Sequence, residues 1–358
     1  FANAFSRYIS KRMKTTPIAA VRKEEGWVQL TRHSSPQMYE PLVSELIAHK
    51  AKGTACVLTQ TNEEAAMLVA LLRKQGVQSK LIQSMDGFRF SNLAEVKYLL
   101  KYISKRVTTP LIPDEVWEEA KRATFSMYDG SLCLPYVGRC VEMFERTNRA
   151  KYRSDLWEFV FESSVEDFCD VSDSDVVVST IHKAKGREFD DVYMLVADWP
   201  KDEKLLRQLY VGMTRAKNRL FIHTTSDLFS KLPTDKSVAD RSQYPMSGEI
   251  MLQLSHKDVF LSFFKPIKKA VLALRSGDAL TLEGNYFYTS STHRAIAKLS
   301  ANMQATIAAW QEKGYHPSKA SVRFVVAWKP KDAPKEEPET AVLLIDVVLG
   351  SSPPSLAP

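Results

Sequence analysis

The sequence lacks several features that would assign it to a specialised class of protein. None of its apolar runs approaches the roughly 18 residues that a membrane-spanning helix needs. Its four cysteines are scattered and form no CxxC pair or Cys/His cluster, which argues against a disulfide scaffold and a structural zinc site. The chain also shows no basic-then-apolar leader. We therefore expect a protein of the reducing cytoplasm with no membrane partner.

What the chain does have is length and a basic balance of charge. Its 358 residues predict two or three domains, at roughly 100–200 residues each. The 49 lysines and arginines outnumber the 42 acidic residues, for a formal net charge of +7. This excess favours a polyanionic partner such as a nucleic acid, without identifying one.

Short apolar runs alternate with helical patterns in two parts of the chain. Residues 55–58, 175–180 and 192–196 are typical of buried parallel strands. Asn62 is a favourable N-cap residue for a helix that extends to Lys74. Strands that alternate with helices predict an α/β fold with a mainly parallel sheet.

The same patterns predict five parts along the chain. An α/β domain is interrupted by a helical insertion, and a Ser-, Thr-, Asp- and Pro-rich linker leads to a small, strand-rich α+β domain and a disordered tail. The predicted bounds are 1–85 with 171–225 for the α/β domain, 86–170 for the insertion, 226–249 for the linker, 250–350 for the C-terminal domain and 351–358 for the tail.

Two tyrosines of the C-terminal domain alternate along a predicted strand. Tyr286 and Tyr288 are two residues apart, so that both rings lie on one face of the strand. That face could be a platform on which nucleic-acid bases stack, or it could be the core of the domain. We interpret it as core.

The segment TIHKAKGREF at residues 180–189 combines several groups that can bind a nucleotide or a nucleic acid. Gly186 allows a tight turn or the close approach of a ligand, and Glu188 can accept hydrogen bonds from a ribose. Three further side chains can contact a phosphodiester backbone, namely Thr180, His182 and Lys183. From composition alone, a solvated loop explains this segment equally well.

A second segment, YVGMTRA at residues 210–216, contains Arg215 near the end of a predicted helix. The planar guanidinium of arginine suits a phosphate because it donates two parallel, permanently charged hydrogen bonds. A single arginine on an amphipathic helix is more often a surface residue, and its spacing alone does not decide between the two.

Together, the two segments resemble motifs five and six of the UvrD/Rep/PcrA-type superfamily-one DNA helicases, which include RecB-like relatives. Residues 180–189 match the pattern TxHxAKGxEF, and residues 210–216 match YVxxTRA. Residues 57–62 lie where motif four of that family belongs. The resemblance covers roughly residues 1–225. It implies the second RecA-like domain of such a helicase, of the P-loop NTPase type, with a reduced accessory insertion.

The sequence departs from the family in two ways that affect its function. The phosphate-binding GxxxxGK[ST] loop and the acidic DExx motif are absent from these 358 residues. In the family, both belong to a first RecA-like domain, which we expect to precede Phe1. Gln60 stands where the family usually has an arginine that contacts the γ-phosphate.

The resemblance also implies the roles of individual residues. ATP would lie between this domain and the missing N-terminal one, and the ligands of its Mg²⁺ would come from the missing domain. Arg215 would act as an arginine finger and Glu188 would hold the ribose, with Gly186 and Gln60 also at the nucleotide. The expected contacts to single-stranded or partly duplex DNA are Thr180, His182, Lys183 and Asn62.

These implications describe the C-terminal portion of an ATP-dependent DNA helicase or translocase, which would not hydrolyse ATP by itself. One alternative is a non-catalytic DNA-binding or regulatory protein that retains the helicase fold. Another is a helicase half within a larger DNA-repair protein, with the C-terminal domain docking a repair partner. Neither the polarity of translocation nor the oligomeric state follows from the sequence.

Overall fold

The chain forms two compact units, each built from two separate stretches of sequence. One unit comprises Phe1–Gln83 with Asp170–Ser247, and the other comprises Ser84–Cys169 with Gly248–Pro358. The structure is a computed structural model, and it describes Phe5 and residues 26–50, 53–82, 85, 87–169, 176–184, 186–197, 203–227, 229, 232–330, 332–334 and 338–351.

The helices and strands are numbered in chain order. The helices are α1 (Tyr39–His49), α2 (Asn62–Lys74), α3 (Ala94–Arg106), α4 (Asp114–Met127), α5 (Leu134–Thr147), α6 (Arg153–Glu162), α7 (Glu203–Met213), α8 (Phe264–Leu272) and α9 (Ala301–Gln311). The strands are β1 (Trp27–His33), β2 (Ala55–Thr59), β3 (Ser79–Leu81), β4 (Val176–Thr180), β5 (Phe189–Val196), β6 (Ala216–Thr224), β7 (Lys236–Asp240), β8 (Glu249–Leu254), β9 (Ala279–Glu283), β10 (Tyr286–Thr289), β11 (Ala295–Lys298), β12 (Tyr315–Trp328) and β13 (Thr340–Ser351). None of the helices in the described part of the chain is both long and apolar enough to cross a membrane.

The first unit contains a parallel sheet of seven strands in the order β3-β4-β2-β5-β6-β1-β7. Every residue of β2 and of β4 is buried, as expected for central strands of a parallel sheet with both faces covered. Both strands come from the continuous apolar runs of the sequence. The predicted α/β fold with a parallel sheet is confirmed.

Helix α2 begins one residue away from the predicted cap. Thr61 is the N-cap residue, and its hydroxyl accepts a hydrogen bond from the N–H of Glu64 at 3.2 Å. The carboxylate of Glu64 in turn accepts from the N–H of Thr61 at 3.0 Å, which completes a capping box. The prediction of Asn62 as the cap is wrong, because only Thr61 has the extended backbone that a cap requires.

The predicted linker at residues 226–249 is not entirely a connection. It contains β7, which pairs in parallel with β1 from Gln29 with Lys236 to His33 with Asp240. Its polar, mostly exposed residues obscured this strand in the sequence, because a strand at the edge of a sheet needs few apolar side chains. The predicted tail is described only at Ser351, the last residue of β13, and residues 352–358 lie outside the described residues.

The second unit contains an antiparallel sheet of six strands in the order β11-β10-β9-β12-β13-β8. Helices α3 to α6 of the insertion belong to the same compact unit as this sheet. One apolar cluster includes Trp117 and Phe144 of the helices together with Phe324 and Leu344 of the strands. The insertion and the predicted C-terminal domain therefore share a core, and the α+β character of the C-terminal part is confirmed.

The two tyrosines of β10 do not form the core of this unit. Phe287, which lies between them, is fully buried, whereas Tyr286 and Tyr288 are only partly buried. Alternate residues of a strand face opposite sides of the sheet, so that Phe287 takes the core side. The interpretation of Tyr286 and Tyr288 as core residues is wrong.

Candidate functional site

Four of the eight predicted site residues, His182, Lys183, Gly186 and Glu188, lie in the loop of residues 181–188, between β4 and β5. Both strands run parallel to β2, which separates them in the sheet. The loop must therefore lead from the carboxyl edge of the sheet, where β4 ends, to the amino edge, where β5 begins. At its start, the N–H of Ile181 donates to the carbonyl of Thr59 at 2.9 Å, which anchors the loop to the end of β2.

The carboxyl-edge end of the loop contacts the start of α2. Lys183 Nζ donates to Asn62 Oδ1 at 2.9 Å, and the N–H of Lys183 donates to the carbonyl of Thr180 at 3.0 Å. His182 is exposed beside them, whereas Thr180 is 8% exposed and offers little surface to a ligand. We call Asn62, His182 and Lys183 the Lys183 cluster.

The far end of the loop contacts Arg215, which lies between α7 and β6. Its guanidinium donates from Nη1 to the carbonyl of Arg187 at 3.1 Å, and from Nε to the carbonyl of Val211 at 2.9 Å. Nη2 donates to Thr214 Oγ1 at 3.0 Å. These bonds use three of the five N–H groups of a guanidinium, and the side chain is only partly buried.

Gly186 and Glu188 lie beside the carbonyl that Arg215 contacts. Gly186 has a φ of +86°, a backbone conformation that favours glycine, and apart from its two chain neighbours no described atom lies within 4 Å of the position a Cβ would take. Glu188 is exposed. It precedes Phe189, whose N–H donates to the carbonyl of Arg215 at 2.9 Å. We call Gly186, Glu188 and Arg215 the Arg215 cluster.

Gln60 does not join the Arg215 cluster. Gln60 follows β2 at the carboxyl edge of the sheet, two residues beyond Leu58, which pairs with Met194 of β5. The carbonyl of Arg215, by contrast, accepts a hydrogen bond from Phe189 at the amino end of β5. The seven residues of β5 between these levels correspond to about 20 Å along the strands. The structure thus places Gln60 near the Lys183 cluster, with its N–H donating to Glu64 Oε2 at 2.9 Å.

Two acidic residues directly after the loop hold the sheet together. Asp190 Oδ2 accepts hydrogen bonds from the N–H and the hydroxyl of Thr54 at 2.9 and 3.0 Å, and the backbone bond is the main cause of its lowered pKa. Asp191 is 2% exposed and receives a bond from Arg219 Nε at 2.7 Å. Nothing in the sequence distinguishes these residues from catalytic acids. Their contacts fix the start of β5.

No metal centre is apparent at either cluster. Within the described ranges, no group of three or more His, Cys, Asp or Glu side chains is arranged to hold a metal ion. The two clusters instead offer ammonium, imidazole and guanidinium groups, whose chemistry suits phosphates.

A comparison with known protein families matches a segment that contains both the loop and Arg215. Residues 175–223 match the family model of the UvrD-like helicase C-terminal domain. The solved C-terminal domain of a possible DNA helicase from Lactobacillus plantarum WCFS1 is 13% identical, with a TM-score of 0.32, over 67% of this chain and 95% of that one. A search of curated proteins found no match.

The family match begins just before β4 and ends within β6, so that it includes both clusters apart from Asn62. It confirms the resemblance that the two sequence motifs indicated. Residues 175–223 of this chain are similar to the UvrD-like helicase C-terminal domain.

Proposed function

We propose that this chain is the C-terminal part of an ATP-dependent DNA helicase or translocase, with a nucleotide at the Arg215 cluster and a DNA strand at the Lys183 cluster. The observation that carries the proposal is the loop of residues 181–188. One short segment contacts Asn62 through Lys183 at one end and Arg215 through Arg187 at the other.

At the Arg215 cluster, this chain would complete an ATP site whose other half lies in a domain outside this sequence. Two N–H groups of the guanidinium remain to reach a phosphate, and the open space beside Gly186 accommodates the approach of a nucleotide. Arg215 would stabilise negative charge on the transferred phosphoryl group, and Glu188 would accept bonds from the ribose. Mg²⁺ bound with ATP would neutralise phosphate charge, with its ligands in the other domain.

At the Lys183 cluster, the chain would contact the sugar–phosphate backbone of a single strand. The amide oxygen of Asn62 accepts a hydrogen bond from Lys183 Nζ, which orients the ammonium. His182 is exposed and can donate to a phosphate from the same turn. Gln60 follows β2 at the same edge of the sheet, two residues before Asn62, and would join these contacts rather than those to the nucleotide.

The loop supplies a physical route by which the two clusters could influence each other. A shift of Arg215 towards a phosphate would break its hydrogen bond to the carbonyl of Arg187 and replace it with one to the phosphate. Arg187 lies four residues from Lys183 in the same loop. Opening and closing of the nucleotide site would then move the DNA contacts during each cycle.

The test uses single-strand binding by this chain and ATP turnover by the full-length protein. The double variant His182→Ala/Lys183→Ala should weaken binding and reduce the salt slope by about 0.7 for each lost phosphate contact. Arg215→Ala should lower turnover by about 10³-fold or more, and Arg215→Lys should recover little because an ammonium lacks the bidentate fork. Unchanged binding and near-normal turnover in these variants would refute the proposal.

The three bonds that Arg215 makes within the protein favour a second candidate, in which this arginine is structural. The chain would then be a non-catalytic DNA-binding or regulatory protein. In that case Arg215→Ala should lower the free energy of unfolding while the DNA affinity of the chain stays unchanged, and the full-length protein should show no turnover that the variant can reduce.

A further inference from the structure

Helix α3 of the second unit carries a row of lysines that the proposed helicase site does not use. Lys97, Lys101 and Lys105 are spaced four residues apart, so that they follow one face of the helix about 6 Å apart. Lys101 and Lys105 are exposed. Lys268 of α8 lines the same cavity as Lys97 and Lys101, which extends the basic row beyond the helix.

A row of tyrosines runs beside the lysines. The rings of Tyr98 and Tyr102 lie 6.3 Å apart between centroids, and Tyr98 meets Tyr128 edge-on at 5.8 Å. A guanidinium covers each end of the row. Arg106 lies 3.7 Å from the centroid of Tyr102, and Arg275 lies 4.7 Å from that of Tyr128. Aromatic rings beside cations are the elements from which stacking sites for bases are built.

The two rows border a cavity of about 280 Å³ within the second unit. Among the residues that the structure describes, its walls include Lys97, Tyr98, Lys101, Tyr128 and Lys268 together with the acidic Glu339. Apolar side chains, among them those of Leu272 and Val326, line the rest. Positive groups above an apolar and aromatic lining suit a ligand that has an aromatic part and a negative charge.

Glu339 contacts two of these lysines. Lys97 Nζ lies 2.8 Å from its carboxylate, and Lys268 Nζ donates to its backbone carbonyl. The side chains of Lys97 and Glu339 are 38% and 44% exposed, so that a phosphate can compete with the carboxylate for Lys97. Among the described lining residues, three lysines and one glutamate give the cavity an excess of positive charge.

We propose that this surface binds single-stranded nucleic acid, with phosphates along the lysine row and bases against the partly exposed Tyr98 and Tyr102 and in the cavity. The row continues past the cavity to Lys105, two helical turns from Lys97, which is further than one nucleotide would need. This continuation favours a strand over a free nucleotide. The inference rests on the proposed function in taking DNA as the substrate, and it adds a contact surface outside the first unit.

The first experiment measures binding of fluorescent oligothymidylate to the full 358-residue chain as a function of salt. Lys101→Ala/Lys105→Ala should weaken binding and reduce the slope of log affinity against log salt by about 1.4, or 0.7 for each phosphate contact. The control Lys257→Ala/Lys319→Ala removes the same charge from two exposed lysines elsewhere in the unit and should have a smaller effect on both. Equal effects of the two double variants would overturn the proposal.

Three single variants test the charge arrangement and the stacking separately. Glu339→Gln releases Lys97 and should strengthen binding about 2- to 5-fold, whereas a loss of affinity would contradict the proposed charge arrangement. Tyr98→Ala should weaken binding about 5- to 150-fold if a base stacks there, and Tyr98→Phe should retain it. Competition by adenosine monophosphate at the affinity of the oligonucleotide would indicate a nucleotide pocket and overturn the assignment to a strand.

The same assay keeps this inference distinct from the proposed function. If only the His182/Lys183 double variant weakens binding, the helicase site stands and the surface on α3 fails. If only the Lys101/Lys105 double variant does so, the surface on α3 stands and the proposed DNA contacts of the Lys183 cluster fail.

Discussion

Nε2 of His33 and Nδ1 of His223 lie 3.0 Å apart in the interior of the first unit, with their rings stacked at a centroid distance of 5.2 Å. Both side chains are 1% exposed. The outer nitrogen of His33 lies 3.1 Å from Asp240 Oδ2, and that of His223 lies 2.8 Å from Glu45 Oε2. A chain of four titratable groups therefore links β7, β1, β6 and α1.

The surroundings of His33 in this group alter its pKa. Burial is the main cause of the lowered pKa of His33, and the electrostatic effect of His223 adds to it.

The first prediction is that the first unit loses stability on mild acidification. The folded pKa of His33 lies below its ordinary value near 6.5, so that the unfolded chain binds more protons just below that pH. The free energy of unfolding should therefore fall as the pH falls from about 7 towards 5. Urea unfolding followed by circular dichroism at several pH values measures this slope.

The two carboxylates should add a further loss at lower pH. Burial acts to raise the pKa of Glu45 and of Asp240, but hydrogen bonds from His223 and from Ser242, respectively, outweigh it and leave both pKa values lowered. Their contribution to stability is lost as the pH falls below about 4. His293→Gln, which alters an exposed histidine of the other unit, is the control, and a stability that rises on acidification would contradict the account.

The second prediction separates the two residues at the start of α2. Thr61→Ala removes the N-cap and should lower the free energy of unfolding by about 1 kcal/mol. Asn62→Ala should change it by no more than about 0.5 kcal/mol, because its side chain contacts Lys183 rather than the helix end. Chemical denaturation of both variants makes the comparison. A larger loss of stability in Asn62→Ala than in Thr61→Ala would mean that Asn62 is the N-cap residue.

The third prediction concerns the two faces of β10. Phe287 is fully buried, so that Phe287→Ala should lower the free energy of unfolding by about 3–5 kcal/mol. Tyr286→Ala, on the partly exposed face, should lower it by about 1 kcal/mol. Thermal and urea unfolding of the two variants measure the difference. Similar losses would mean that both faces are equally packed.

The fourth prediction concerns a buried ion pair between β12 and β13. The side chain of Arg323 is fully buried, its Nε lies 3.0 Å from Asp346 Oδ1, and its Nη2 donates to the carbonyl of Leu254 at 2.8 Å. Asp346→Ala should lower the free energy of unfolding by about 3–5 kcal/mol, because it removes the carboxylate opposite a buried cation.

The isosteric variant Asp346→Asn is the matched control for this pair. It retains an oxygen that can accept from Arg323, and it should destabilise the protein less than the alanine variant does. A loss below about 1 kcal/mol for Asp346→Ala would show that this carboxylate contributes little to the unit.

Local patterns were sufficient for the parts of this protein that depend on neighbouring residues. The apolar runs of β2 and β4 predicted buried parallel strands, because a strand covered on both faces needs apolar residues at every position. Motifs five and six predicted the helicase family, since each is contiguous in the chain. The same local reasoning placed the cap of α2 one residue late, because the choice between Thr61 and Asn62 depends on backbone dihedral angles.

Contacts between distant residues were decided only by the tertiary structure. β7 could not be read from its polar sequence, and it exists as a strand because β1 offers it a sheet edge. The alternation of residues along β10 indicates only that they face two opposite sides of the sheet. Which side faces the core depends on the helices and strands packed against β10. Gln60 and Arg215 were grouped by family resemblance, whereas the register of β2, β5 and β6 separates them.

The sequence by itself determined an α/β protein with a helicase-type loop, because hydrophobic periodicity and contiguous motifs are properties of short stretches of chain. Only the tertiary structure decided that Lys183 meets Asn62, 121 residues away, and that His33 meets His223, 190 residues away. No local pattern encodes such pairs, since each forms only when the parallel strands bring their ends to one edge of the sheet.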